Sequence, residues 1–170
     1  MQNIFTKSTA DSRVSFSHAT VPEDLNEGGH VYGARLLEWA DNLSAVIAIS
    51  HRRGGVTTAS FDQFDFIRPI KLGDFVHAKG FISGTGPHSM EIFIKFIGED
   101  SVTGDRYLAA VTFITYAARR LKEGEVVPGI VGDTEEEKTI IAGYEGRRMR
   151  VKEKIARNQA LFTAINLEKD

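Results

Sequence analysis

The sequence predicts an α+β domain in which one long buried helix lies across a curved antiparallel sheet, with a helical extension at the C-terminus. Three observations predict it. The stretch from Asn26 to Ile49, NEGGHVYGARLLEWADNLSAVIAI, opens Gly-rich and turn-like and continues as a helix with apolar residues on almost every side, the pattern of a buried helix. From Val56 onward the apolar period changes to two, the alternation of strands. The connections between those strands are short, which requires antiparallel neighbours, because a parallel pair needs a long crossover.

The elements follow in order. Residues 1–12 are polar and are expected to form a flexible N-terminus. Arg13 to Val21 alternates Val14, Phe16 and His18 with Ser15, Ser17 and Ala19 and reads as a first strand, broken by Pro22-Glu23-Asp24. The helix should end near Ser50-His51, where Arg52-Arg53-Gly54-Gly55 places basic residues in the last turn and glycines after it. Val56–Ile67, Phe75–Ser83, Ser89–Gly98 and Tyr107–Ala118 then read as four strands, separated by turns at Leu72-Gly73-Asp74, Gly84-Thr85-Gly86-Pro87 and Asp100–Asp105. Phe93 and Ile97 fall on the outward face of their strand, which implies that this face too is covered, by another subunit. The domain is expected over residues 13–120, with a linker and helical tail over 121–170. In that tail Asp133 or Thr134 can cap a helix whose first turn holds Glu135, Glu136 and Glu137 and which runs on through Gly143 and Gly146.

A chain of 170 residues with 42% hydrophobic and 26% charged residues is of ordinary size and composition for one soluble domain. A net charge of −2 gives no sign of a nucleic-acid binder. The lack of cysteine excludes disulfides, thiolate metal sites and a cysteine nucleophile. The N-terminal residues have no apolar core of a secretory signal, and no run approaches the ~18 apolar residues of a membrane span, so a cytoplasmic location is expected. The five histidines (His18, His30, His51, His77 and His88) show no ligand spacing, and no metal site is expected. The basic cluster Arg147, Arg148, Arg150, Lys152 and Lys154 is a solvated helix face or a contact for a partner or a phosphate.

One constellation carries chemistry. Gly28, Gly29 and Gly33 let the backbone bend and approach a ligand at the start of the long helix, whose free N–H groups can polarise an oxygen. Asn26 can hold a water or a carbonyl. Asp41, two to three turns further in, offers a carboxylate base or nucleophile. Those are the parts needed to add water to an acyl carbon. The plainer readings are that Asn26 is a turn residue and that Asp41 emerges on a polar strip with Glu38 and Asn42.

These residues also carry a resemblance. Asp24-x-Asn26-x-x-Gly29-x-x-Tyr32-Gly33-x-x-Leu36, Trp39-x-Asp41, Thr57-Thr58-Ala59-Ser60-Phe61-Asp62, Phe66-x-x-Pro69-Ile70-x-x-Gly73-Asp74 and Thr85-Gly86-x-x-Ser89-Met90-Glu91 together resemble the hotdog-fold acyl-CoA thioesterase family, over about Val14 to Ala118. The resemblance implies a hotdog fold and hydrolysis of the thioester of acyl-CoA to free acid and coenzyme A, with coenzyme A present only as part of the substrate. It implies a homodimer or higher oligomer, a hexamer among them, with active sites between subunits. Asn26 of one subunit and Asp41 of its neighbour would face a shared thioester. Asp41 would activate water or attack directly, Asn26 would position the water, and the N–H of Gly33 or Ala34 would stabilise the oxyanion. Thr58 and Ser60 would lie behind the site, and Arg68, Lys71, Ser89 and Arg119 are candidates for binding coenzyme A. Ala34 stands where the family usually has a glycine, and Pro87 where it often has an arginine, so other cations would meet the phosphates. Two alternatives are a hotdog module that binds acyl-CoA without turnover, and an enoyl-CoA hydratase, suggested by Asp24-x-Asn26-x-x-x-His30.

Overall fold

The computed structural model describes residues 5–167. Its main sheet has five strands: β2 (Val14–Ala19), β3 (Val56–Phe66), β4 (Phe75–Thr85), β5 (Ser89–Glu99) and β6 (Arg106–Ala118). Their spatial order is β2-β4-β5-β6-β3, with every neighbouring pair antiparallel, as the short turns require. The helix α1 (Gly33–Arg52) lies against one face of this sheet. Its end is set where the sequence signals it: Arg53 takes a left-handed backbone (φ 57°) and its N–H closes on the carbonyl of Ile49.

The core forms between α1 and that inner face. Leu36, Ala40, Leu43, Ile47 and Ala48 of the helix meet Ile82, Met90, Ile92, Ile94, Phe96, Ile114 and Tyr116 of the sheet. Gly80 makes the close approach possible. A Cβ there would stand 2.8 Å from both Ile47 Cδ1 and Ile94 Cγ1, so a larger residue would displace these two side chains from between α1 and β4. The helix is not buried on all sides as its composition suggests. Val46 and Ile49 are half exposed, because the sheet covers only one side of a helix and nothing among the described residues covers the other.

The second face of the sheet corrects a further expectation. Phe93 is only 6% exposed, but its cover comes from the chain's own C-terminus, not from another subunit. Two helices, α2 (Glu135–Ala142) and α3 (Tyr144–Ala164), dock there. A row of mutually tilted rings runs Phe81–Phe93–Phe113 with centroids 5.5 and 5.1 Å apart, and the Arg147 guanidinium lies 4.2 Å over Phe113. A Cβ on Gly84 would fall within the ring of Tyr144, so that glycine is what admits α3 to the sheet. Beneath lies a buried ion pair, Arg147 Nη2 to Glu91 Oε1 at 2.8 Å, and Ser83 Oγ donates to the same carboxylate at 2.6 Å. The single tail helix read from sequence is two helices. Gly143 ends α2, whereas Gly146 is tolerated inside α3.

The flexible N-terminus is also corrected, for residues 6–12; residues 1–4 lie outside the described residues. β1 (Thr6–Ser8) pairs in parallel with β7 (Gly129–Val131), and a short 3-10 turn follows over Thr9–Asp11. Thr9 and Ser12 are buried. The polar side chains that made this stretch look loose are used as hydrogen-bond groups. Ser8 Oγ and the Ala10 N–H donate to Asp133, and Thr9 Oγ1 donates to Glu137. Thr134, not Asp133, caps α2, accepting from the Glu137 N–H while its own N–H donates back to Glu137. The intervening stretch packs as well: Val127 is buried, its N–H donates to the Pro87 carbonyl, and Pro128 O accepts from His51 Nε2.

Candidate active site

Asp41 lies half-buried near the middle of α1, on the side facing the start of β3 and the end of β6. Thr58 and Tyr116 are register partners across those two strands, so their side chains reach Asp41 together. Thr58 Oγ1 donates to Asp41 Oδ1 at 2.7 Å and the Tyr116 hydroxyl donates to the same oxygen at 2.9 Å. Asp41 Oδ2 accepts no hydrogen bond among the described residues. One turn on, Ser44 Oγ donates to the Ala40 carbonyl at 2.5 Å and stands 3.5 Å from the Tyr116 hydroxyl. Burial pushes the Tyr116 phenol up from its ordinary range, so it stays a proton donor.

Ser60 does not join this group. A bulge between Thr58 and Ser60 shifts the register and sets Ser60 opposite Thr115, on the outer face of the sheet. Its hydroxyl donates to Asp62 at 2.5 Å, and Thr115 donates to the same side chain.

Asn26 closes the loop that leads into α1. Its Oδ1 accepts from the N–H groups of Gly28 (2.9 Å) and His30 (3.3 Å), and its own N–H donates to the His30 carbonyl at 2.8 Å. Gly29 supplies the positive φ, 76°, that this turn needs. The carbonyl end of the Asn26 side chain therefore holds the turn, and its amide end makes no hydrogen bond among the described residues. Asn26, His30, Gly33, Phe66 and Arg68 line a cleft of about 390 Å³. Tyr32 precedes α1 without a side-chain cap. The N–H groups of Gly33 and Ala34 thus have no acceptor among the described residues and can serve an anionic oxygen.

Asp24 anchors this loop. It is 4% exposed, bonds His18 Nε2 at 2.6 Å, lies 3.3 Å from Arg35 Nε, and its carbonyl accepts the Tyr32 N–H. Burial pushes its carboxyl up, but the His18 and Val21 hydrogen bonds and the nearby Arg35 charge outweigh it and hold the group below its ordinary value. Asp24 is therefore committed to His18 and makes no pair with His30, which removes the basis for a hydratase dyad.

Within one chain Asn26 and Asp41 do not meet. Gly33 and Asp41 are eight residues apart on a continuous helix, about 12 Å along its axis. Asn26 and Gly33 share their cleft with Phe66, at the end of β3, while Asp41 is bonded to Thr58 at its start. The candidate cations divide the same way. Arg68, stacked 4.2 Å over the ring of Tyr107, and Lys71 lie at the Asn26 end. Arg119 lies at the Asp41 end, in a surface recess with Arg52, Arg53 and Arg120. Ser89 borders a small cavity beneath α3 with Tyr144 and Arg148.

Tyr116 is the site residue that sequence reasoning missed. Its position was legible, since it alternates with outward residues in the last long strand, but nothing along the chain ties it to Asp41, 75 residues away.

Comparison with known proteins places these features in context. A model of the thioesterase superfamily matches residues 28–104. An uncharacterised acyl-CoA thioester hydrolase of Bacillus subtilis is 32% identical over 170 residues, covering 99% of either chain. A solved acyl-CoA hydrolase of Staphylococcus aureus, in complex with butyryl coenzyme A and coenzyme A, superposes with a TM-score of 0.86 at 27% identity, over 93% of this chain and 97% of that one. Other structures of the staphylococcal enzyme have an aspartate, an asparagine or a threonine replaced by alanine. A hexameric acyl-CoA thioesterase, solved without ligand, gives a TM-score of 0.84 at 30% identity, over 90% and 99% of the two chains. Among the described residues, no helix is long and apolar enough to cross a membrane.

Proposed function

This chain belongs to the acyl-CoA thioester hydrolases of the thioesterase superfamily and has their hotdog fold; from that premise we propose that it hydrolyses acyl-CoA at a site shared between two subunits, Asp41 from one and Asn26 from the other. The observation that carries the reading is the separation of the two halves at opposite ends of β3. This strand is 11 residues long and forms the outer edge of the sheet, with Phe66 and the following Ile67 more than half exposed. A free edge of that length is a template for another strand. Pairing two copies of β3 about a two-fold axis makes them antiparallel, so the Thr58 end of one meets the Phe66 end of the other. Asp41 then comes towards the partner copy's cleft. The half-exposed Val46 and Ile49, on the side of α1 turned away from the sheet, remain for a partner to cover. The hexameric relative supports assembly beyond the dimer.

The chemistry follows from the groups present. The thioester carbonyl oxygen accepts from the N–H groups of Gly33 and Ala34 at the start of α1, where the helix dipole also favours negative charge. Asn26 holds a water over the acyl carbon. Asp41 Oδ2 takes a proton from that water as the new C–O bond forms. The tetrahedral oxyanion collapses, the C–S bond breaks, and the protonated Asp41 returns the proton to the departing thiolate. The products are the free acid and coenzyme A, and the reaction needs no group beyond substrate and water. Arg68, Lys71 and Arg119 are the cations available to the coenzyme A phosphates.

The test is release of free thiol from acyl-CoAs of graded chain length, wild type beside Asp41→Asn. Release by the wild type, with loss of roughly 10³-fold or more in the variant, is expected for removal of the base. Undiminished turnover by Asp41→Asn would overturn the site, and tight coenzyme A binding without any thiol release would overturn the activity.

A further inference from the structure

We propose that Tyr116 is a positioning residue for this hydrolysis: its buried hydroxyl, together with Thr58, holds Asp41 through Oδ1 and so leaves Oδ2 as the working oxygen. The inference rests on the reading of Asp41 given above and adds a residue that none of the motifs contains.

The geometry carries it. Tyr116 is 2% exposed, with its ring in the core beside Met90 and Ile114. A hydroxyl at such a place is costly unless bonded, and phenylalanine would fill the same volume without it. The hydroxyl points instead at the one carboxylate on the buried length of α1, 2.9 Å from Asp41 Oδ1 and 3.1 Å from the Asp41 carbonyl. Thr58 reaches the same Oδ1 from an exposed edge strand. Within a single chain, only the tyrosine of the two donors is shielded from water. With both on one oxygen the carboxylate cannot rotate freely about its Cβ–Cγ bond, and the oxygen left without a donor is the more basic of the pair. A carboxylate that must take a proton from water and return it to a thiolate benefits from that asymmetry, since only one oxygen has to face the reacting atoms. The phenol keeps its proton throughout, because burial beside Asp41 disfavours the phenolate.

The experiment is Tyr116→Phe, assayed by thiol release across pH on the purified oligomer, with Asp41→Asn in parallel. The variant should keep its melting temperature within a few degrees and its KM within about twofold, while kcat falls roughly 10- to 100-fold, as for loss of one hydrogen bond to a charged group. The acid limb of kcat/KM should move to higher pH. Incorporation of a fluorinated tyrosine at position 116, a stronger donor, should move that limb to lower pH; a residue that only fills space would move it in neither case. If Asp41→Asn is dead but Tyr116→Phe matches wild type in kcat and pH profile, the positioning role is overturned and the site stands. If Asp41→Asn retains full turnover, both fall together.

Discussion

Thr58 Oγ1 donates to Asp41 Oδ1 at 2.7 Å, joining the start of the edge strand to the middle of the central helix. The bond crosses 17 residues of chain, and the bulge that follows Thr58 turns Ser60 away from the same carboxylate. Thr58→Ala should therefore lower kcat by about 10-fold through loss of one donor to a charged group, whereas Thr58→Ser, which keeps the hydroxyl, should stay within about threefold of wild type. Ser60→Ala should leave thiol release unchanged. Steady-state kinetics on the three variants checks this, and a defect in Ser60→Ala as large as that in Thr58→Ala would contradict the geometry.

The division of the site between subunits predicts complementation. Asn26→Ala and Asp41→Asn homo-oligomers should each be nearly inactive. When the two chains are co-expressed and mix at random, half of the dimers contain one of each, and each mixed dimer has one intact site. About a quarter of wild-type activity should return. A site built within one chain would have no intact copy in any mixture. Activity of tagged, co-purified hybrids distinguishes the two, and no recovery in verified hybrids would place the site inside one chain.

The fold was readable from the chain to the extent that period and turn chemistry determine it. Strand edges at Val56, Phe75 and Ser89 follow from glycine and proline punctuation, and the helix stop at Arg53-Gly54-Gly55 from its C-cap chemistry. What could not be read is long-range pairing of polar groups. The sequence shows Glu91, Glu137 and Arg147 as ordinary charges, yet they dock the tail onto the sheet because each finds a partner more than fifty residues away. In the site, Asn26, Gly33 and Asp41 were legible as residue types at a helix start and on its buried length. Tyr116 was not, because its relation to Asp41 exists only once α1 packs against β6. What covers Phe93 is hidden for the same reason: periodicity says that a face is buried, not by what.

Acid should loosen the contact between the N-terminus and α2. Burial pushes the Glu137 carboxyl up, but the Thr134 N–H, Arg13, Thr9 and the Asp133 N–H outweigh it and hold the group down to about 2. The folded value lies below the unfolded one, so this contribution is fully present above about pH 4.5 and is lost as pH falls towards 2. A displacement from 4.5 to about 2 corresponds to about 3 kcal/mol. Glu137→Gln should cost up to that amount at pH 7, and the gap between variant and wild type should close as pH approaches 2. Denaturant titrations at pH 7, 4 and 3 follow it. A gap that does not change with pH would mean that Glu137 contributes as a packed side chain and not as a charge.

The tail should detach when its buried ion pair is broken from one side. Arg147 and Glu91 are 13% and 4% exposed at their side chains, with the guanidinium also bonded to the Ile140 carbonyl and stacked on Phe113. Arg147→Met leaves Glu91 buried with only Ser83 as donor, an uncompensated charge that costs roughly 3–5 kcal/mol locally. Replacing both with apolar residues of similar size removes the orphan and should restore much of the loss, so the double variant should be more stable than Arg147→Met alone. Because α3 meets the sheet on the face opposite Asp41 and none of its residues is fully buried, the cost should fall on the docking of α2 and α3. Limited proteolysis should cut Arg147→Met first within residues 132–164, with wild type and the double variant cut more slowly. Equal cleavage rates in all three would show that the aromatic contacts under α3, and not the ion pair, hold the tail to the sheet.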